Sequence, residues 1–216
     1  MKTMKRMTLL FALMFLAGCS NASSSDLKPM ISGSKPDSLA QPSKSTNPSG
    51  TEEKNILVTY FTWSNNTQDM ASHIHDKTGG MLSQIVPVKP YPTTSYTQWG
   101  NSARDERDND ARPEIKDPLP KETVSRFDTV LIGFPIWWHT APMIIGTFLE
   151  SYTWNENVDI YPFFQGASNS NTEYYDNSMA FVRRCAKGTT VHEGLYTAYN
   201  NTARIDEYLT ENELMK

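Results

Sequence analysis

From residue 55 onward, apolar and polar positions follow two alternating rhythms. Asn55-Ile-Leu-Val-Thr-Tyr-Phe61 is a nearly continuous apolar and β-branched run, the pattern of a strand covered on both faces. Behind it, Asn66–Thr78 carries Met70, Ala71 and Ile74 at helical spacing and stops at Gly79-Gly80, where a helix C-cap is expected. Met81–Val88, with Leu82, Ile85, Val86 and Val88, predicts a second strand, ended by Pro90 and Pro92. Residues 91–127 are polar, with a helix over Thr97–Asp108 and then Pro113, Pro118 and Pro120 breaking further regularity. Thr129–Phe134 is again a buried-type strand, and Ala141–Tyr152 a helix with Ile144, Ile145, Phe148 and Leu149 inward. Asp159–Phe164 supplies a fourth strand and Thr190–Tyr196 a fifth, with helices over Glu173–Ala186 and Ala203–Glu213. Strands that alternate with helices imply an α/β domain, a parallel sheet with helices on both faces. Ligands of such sheets bind beyond the carboxyl ends of the strands, near the topological switch point. The loops after strands one, three and four are therefore the candidates for chemistry.

The first fifty residues follow a different rule. Lys2, Lys5 and Arg6 precede an apolar run from Met7 to Ala17, too short to span a bilayer and of the form of a signal peptide. Leu16-Ala17-Gly18-Cys19 resembles the lipobox of bacterial lipoproteins, which implies cleavage before Cys19 and lipidation of its thiol. A secreted protein with an incidental cysteine, or an uncleaved anchor, are the alternatives. Ser20 to about Gly50 is rich in Ser, Pro, Asn and Lys and cannot bury enough apolar surface to offset chain entropy. The expected organisation is a signal peptide (1–18), a lipidated, disordered tether (19–52) and a folded domain (53–216). The expected place is the cell envelope, anchored to a membrane on its extracytoplasmic side.

Composition narrows the partners. The chain has 216 residues and a net charge of −4, which provides no basic face for nucleic acid. His73 and His75 point to different helix faces, and no Cys/His cluster has metal-ligand spacing, so no structural metal is expected. Cys185 falls in a predicted helix, where a packing role is expected over a redox one.

The loop after strand one, Thr62-Trp63-Ser64-Asn65-Asn66-Thr67, is rich in hydroxyls, free of Lys and Arg, and opens a helix. Hydroxyls, backbone N–H groups and the helix dipole can together hold a phosphate monoester. Ordinary helix capping by Ser or Asn accounts for the same residues equally well. The loop after strand three contains Trp137-Trp138. Neighbours on an extended segment face opposite sides, so one ring at least should be exposed or cover a ligand. A flavin ring, a partner-binding patch and a loop plug all suit such a surface.

Three segments carry a resemblance. Tyr60-Phe-Thr-Trp-Ser-Asn-Asn-Thr67, Asn109-Asp-Ala-Arg-Pro-Glu114 and Gly133-Phe-Pro-Ile-Trp-Trp-His-Thr-Ala-Pro142 resemble the signature segments of bacterial flavodoxin-like proteins. The resemblance implies a three-layer sandwich, a five-stranded parallel sheet in the order 2-1-3-4-5, and noncovalent FMN. It places the phosphate on Thr62, Ser64, Asn66 and Thr67, with Trp63 and Asn65 in the same loop, and the ring against Pro135, Ile136, Trp137, Trp138 and His139. Asn65 stands where the family usually has glycine, and asparagine is among the residues least penalised at positive φ. His139 replaces another usual glycine and is either a proton donor near the ring or an exposed spacer. The loop after strand four departs from the family's glycine- and serine-rich run, and Gly166 and Ser168 are its nearest matches. The implied function is FMN-dependent electron transfer, or reduction of a small acceptor such as a quinone, with a redox partner protein as the other possible recipient. The alternative from another class is a flavin-free binding module on the same scaffold.

Overall fold

The computed structural model describes residues 54–93 and 95–216. The signal peptide, Cys19 and the tether of the sequence reading lie outside the described residues. Among the described residues no helix is long and apolar enough to cross a membrane.

Strand β1 (Ile56–Tyr60) is buried at every position and leads into helix α1 (Asn66–Thr78), which stops at Gly79 in the left-handed region, φ 73°. Then come β2 (Met81–Gln84), β3 (Val86–Pro87), α2 (Tyr96–Asp108), β4 (Ile115–Lys116) and the single turn α3 (Lys121–Val124). The second half holds β5 (Thr129–Pro135), α4 (Met143–Glu150), β6 (Asp159–Gln165), α5 (Thr172–Cys185), β7 (Thr190–Val191), β8 (Leu195–Tyr196) and α6 (Thr202–Glu211). The main sheet runs β2-β1-β5-β6-β7, β8 also pairs with β6, and every pairing in it is parallel. With β7 and β8 sharing the fifth position, this is the expected order 2-1-3-4-5.

Alternating side chains divide the core into two layers. Leu57, Val130, Ile132, Phe134, Ile160 and Phe164 pack with α2, α4 and α5 on one face. Ile56, Val58, Tyr60, Leu131, Tyr161 and Phe163 pack with α1 and α6 on the other. Burial on both faces is why β1 and β5 read as unbroken apolar runs. Each fully buried Leu, Ile or Phe contributes about 1.5–3 kcal/mol relative to exposure, so these two layers supply most of the drive to fold.

Helices α4 and α6 each end two residues before their expected ends, at Glu150 and Glu211, and three further differences from the sequence reading have a clear cause. The strand expected over Met81–Val88 ends at Gln84; Ile85 N–H still reaches Tyr60 O (2.7 Å), after which Val86-Pro87 turns away to pair antiparallel with Ile115-Lys116. Tyr60 is the last residue of β1 to offer a ladder partner, and Val86 and Val88 are left exposed. Helix α4 begins at Met143, two residues late, because Pro142 is extended at ψ 144°. The strand expected over Thr190–Tyr196 is broken at residues 192–194, and Pro162 in β6 accounts for the break. Ile160 O and Phe164 O both accept from the fifth-strand side, from His192 N–H (2.9 Å) and Thr197 N–H (3.2 Å). In a parallel strand every second residue faces the same neighbour, so the N–H that Pro162 lacks would have pointed there too.

Gly133 sits in β5 between Tyr60 and Phe163, where an added Cβ would lie 2.2 Å from the Phe163 ring. Gly133→Ala is expected to cost about 2–3 kcal/mol, the scale of core overpacking, read as a fall in the urea midpoint. A midpoint equal to wild type would refute this packing.

Candidate functional site

The first loop leaves the sheet as Phe61 N–H bonds to Gly133 O (2.9 Å), which ties it to the exit of β5. Asn65 then occupies the N-cap of α1 at φ 69°, ψ −11°, in the left-handed region, and no side chain caps the helix. Capping by Ser or Asn, the alternative use of this loop, is therefore not made, and first-turn N–H groups are left to other acceptors. Thr62 Oγ1 and Thr67 Oγ1 are both buried and find no hydrogen-bond partner among the described residues. Leaving such a group unsatisfied costs about 1–3 kcal/mol. Other hydroxyls of this kind, on Thr59, Thr147 and Ser178, lie inside β1, α4 and α5, whereas Thr62 and Thr67 flank one loop mouth. Ser64 and Asn65 are exposed there and Asn66 is half-buried.

Trp63 turns sideways, stacks on Trp99 of α2 (4.9 Å, 23°) and donates its indole N–H to Pro92 O (3.3 Å). Trp137 is buried at the centre of the aromatic cluster, edge-on to Phe61 (5.0 Å), Tyr91 (4.8 Å) and Trp99 (5.2 Å). Tyr91 and Trp99 were not among the candidates from sequence; a lone large apolar residue at Trp99 in a polar helix was the available signal.

Trp138 and His139 form the tip of a tight turn closed by Trp137 N–H to Thr140 O (2.9 Å) and Thr140 N–H to Trp137 O (3.2 Å). Both tip residues have positive φ, 46° and 69°. For side chains this large that backbone costs on the order of 1–3 kcal/mol each and persists only where neighbours impose it. Helix α2 does so: Trp138 Nε1 donates to Gly100 O (2.7 Å), Arg107 donates to Trp138 O (3.1 Å), and the guanidinium groups of Arg104 and Arg107 lie 5.6 and 5.7 Å from the indole centre. His139 is exposed and stacks on Tyr174 (4.5 Å). The tryptophan pair thus divides, one ring into the core and one along α2.

The second and third loops meet where Ile136 N–H bonds to Gln165 O (2.8 Å) and the Ile136 side chain packs on Gly166. Pro135 ends β5, buried. Gly166 N–H donates to Asn169 Oδ1 (2.9 Å), and Ser168 O accepts from the Tyr196 hydroxyl. All thirteen residues named from sequence around a ligand lie in, or directly beside, three loops at one edge of the sheet, and Trp137 among them faces inward.

The segment Asn109–Glu114 has a different role. Arg112 forks onto Glu150 of α4 (2.7 and 2.8 Å) and donates to Asp110 (3.0 Å), while Arg184 of α5 also grips Asp110 (2.7 and 2.9 Å). The Arg184 and Arg112 hydrogen bonds hold the Asp110 carboxyl well below the usual carboxylate range. The network joins the segment after α2 to α4 and α5 around Cys185, a buried thiol that burial pushes up to about 12, as suits a packing cysteine.

A family profile described as flavodoxin matches residues 55–194. The chain belongs to the flavodoxin family. Solved structures of similar shape include a candidate flavoprotein from Bacteroides eggerthii, 27% identical, covering 73% of this chain and 97% of its own, with a TM-score of 0.63. A candidate flavoprotein from Bacteroides uniformis is 24% identical over 73% of this chain and 98% of its own, TM-score 0.64. A Lactobacillus acidophilus flavoprotein in complex with FMN is 22% identical over 66% of this chain and 91% of its own, TM-score 0.54. No curated protein matches the chain. Asn65 is a left-handed residue at the start of α1. Asn65→Gly is expected to keep stability within about 1 kcal/mol, whereas β-branched Asn65→Val should lose about 1–2 kcal/mol at a left-handed position. Equal unfolding midpoints for the two variants would contradict the backbone assigned here.

Proposed function

We propose that the chain is an FMN-binding redox protein, held to a membrane at the cell envelope through lipid on Cys19. It passes electrons to or from a small acceptor such as a quinone, or to a redox partner protein. The observation that supports this best is the pair of buried, unpartnered hydroxyls of Thr62 and Thr67 at an uncapped helix N-terminus. A phosphate monoester supplies acceptor oxygens to both hydroxyls and to the free N–H groups, and the helix dipole favours its charge. Ser64 and Asn66 complete the cradle from its exposed side, and Asn65 bends the backbone around it. Trp63 walls the loop against α2, while Trp137 supports it from below as a dry floor.

The ring would lie along Pro135, Ile136, Trp138 and His139 on one side and Gly166 and Ser168 on the other. When bound, FMN supplies the electron chemistry, and the protein positions and tunes it. His139 stands at the turn tip with its ring held on Tyr174, 3.9 Å from a Glu173 carboxylate oxygen, so its imidazole borders solvent and spaces the turn. The Lactobacillus acidophilus relative holds FMN on this fold, which makes FMN the flavin to test first.

One observation favours a second reading, a flavin-free binding module. The Gly166 N–H and Ser168 carbonyl, which would meet the ring's pyrimidine edge, are already bonded within the protein. Purified protein should be yellow or should quench FMN fluorescence at micromolar concentration; a colourless preparation that quenches nothing decides for the second reading. Thr67→Val should weaken FMN roughly tenfold to a hundredfold, the loss of one hydrogen bond to a charged group, and leave riboflavin binding nearly unchanged. Equal losses for the two ligands would remove the phosphate from this loop. The anchor is tested separately: radiolabelled palmitate should enter the wild type and not Cys19→Ser, and equal labelling would sink it.

A further inference from the structure

Beside α2 and the β3–β4 ribbon lies a cavity of about 600 Å³, within the range of small-molecule sites. None of the three loops discussed above supplies its lining. Pro87, Pro90, Pro92 and Pro113 form apolar walls with Tyr91, and the half-buried acidic group among them is Glu106 of α2, with Glu114 exposed at the rim. The Tyr91 hydroxyl donates to Glu106 Oε2 (2.7 Å), and among the described residues no group donates to Oε1. Burial pushes this carboxyl above its usual range, against the weaker opposing effects of the Tyr91 hydrogen bond and the charge of Lys89. Arg112, which also lines the cavity, is committed to Glu150 and Asp110. Lys89 and Glu114 both lie exposed at the rim, and the charge of Lys89 acts on Glu106.

We propose that this cavity binds a small primary or secondary amine on a ring-shaped apolar body, with the ammonium on Glu106 Oε1 and the ring between the proline faces and Tyr91. A half-buried carboxylate with an unused oxygen gains most from a cationic donor, because a charge-assisted hydrogen bond is roughly twice as strong as a neutral one. An anionic ligand placed between the proline faces meets the half-buried Glu106 carboxylate and is disfavoured. Flat proline and tyrosine faces suit a ring and lose little entropy in holding it, since neither wall side chain needs to be reordered. The lining residues are distinct from the three loops, although Tyr91 and Pro92 back onto Trp137 and Trp63.

The probe is phenethylamine, titrated by calorimetry into the full chain as purified in detergent with no flavin added, beside uncharged 2-phenylethanol and anionic 3-phenylpropionate. Phenethylamine should bind at least tenfold more tightly than either. Glu106→Gln, which keeps the shape and removes the charge, should weaken the amine tenfold or more, and Ser102→Trp, which puts an indole into the lining, should abolish binding. Equal affinity for amine and alcohol, an unchanged affinity in Glu106→Gln, or no heat up to millimolar amine each overturns the proposal. Since the titration uses no flavin, its failure and a failure to bind FMN are separate results.

Discussion

Trp137 is buried edge-on against Phe61, Tyr91 and Trp99, and the arrangement above the carboxyl edge of the sheet follows from keeping that ring dry. An indole is among the largest apolar groups a core can take, and at the end of a buried strand it has only the inner side to occupy. Once it points inward, Trp138 must point outward, and the chain reverses within two residues at positive φ. Helix α2 stabilises that costly turn with a hydrogen bond to the Trp138 indole, another to its carbonyl, and two guanidinium groups over its ring. Through Trp99 the same helix also carries Trp63, so the first and second loops share one aromatic support.

Left-handed residues occur at Asp110, Asp117 and Glu213 as well as where the ligand chemistry would be. Asn65, Trp138 and His139 all have left-handed backbones, and Thr62 and Thr67 keep buried hydroxyls without partners. Each departs from what folding alone would select, and such departures cluster at functional sites when the surroundings over-determine them. Here the surroundings are the β1–β5–β6 ladder below and α2 alongside. The Asp110, Arg112, Glu150 and Arg184 network serves the same end at a distance, by locking the segment after α2 to α4 and α5. Its ion pairs are substantially exposed and contribute little individually; their value is geometric, since one carboxylate is held by two guanidinium groups.

Where side chains repeat along an element, the chain could be read directly. Strands β1 and β5 and helix α1 were legible because both faces of the strands, and one face of the helix, bury apolar residues without interruption. The candidate loops were legible because they interrupt that pattern at the ends of the same strands. Val86 and Val88 misled, since apolar identity does not say whether a neighbouring strand remains to pair with. Pro162 carried a readable warning that the fifth strand would break, but its effect depends on which neighbour the missing N–H faces, a matter of sheet order. Tyr91 and Trp99 lie in polar surroundings, and no periodicity marked them as the supports of Trp137.

Periodicity, a short-range property, determined the α/β class and placed the hydroxyl-rich loop after the first strand, while the family resemblance implied the strand order and the left-handed residue at Asn65. Tertiary structure alone decided that Thr62 and Thr67 would be left unpartnered among the described residues, that the two tryptophans would part, and that Asn109–Glu114 would brace helices. It also decided that Glu106 would be half-buried beside Tyr91 in a separate cavity. Those outcomes depend on which groups far apart in the chain meet, and on the solvent each meeting excludes, which no local pattern records.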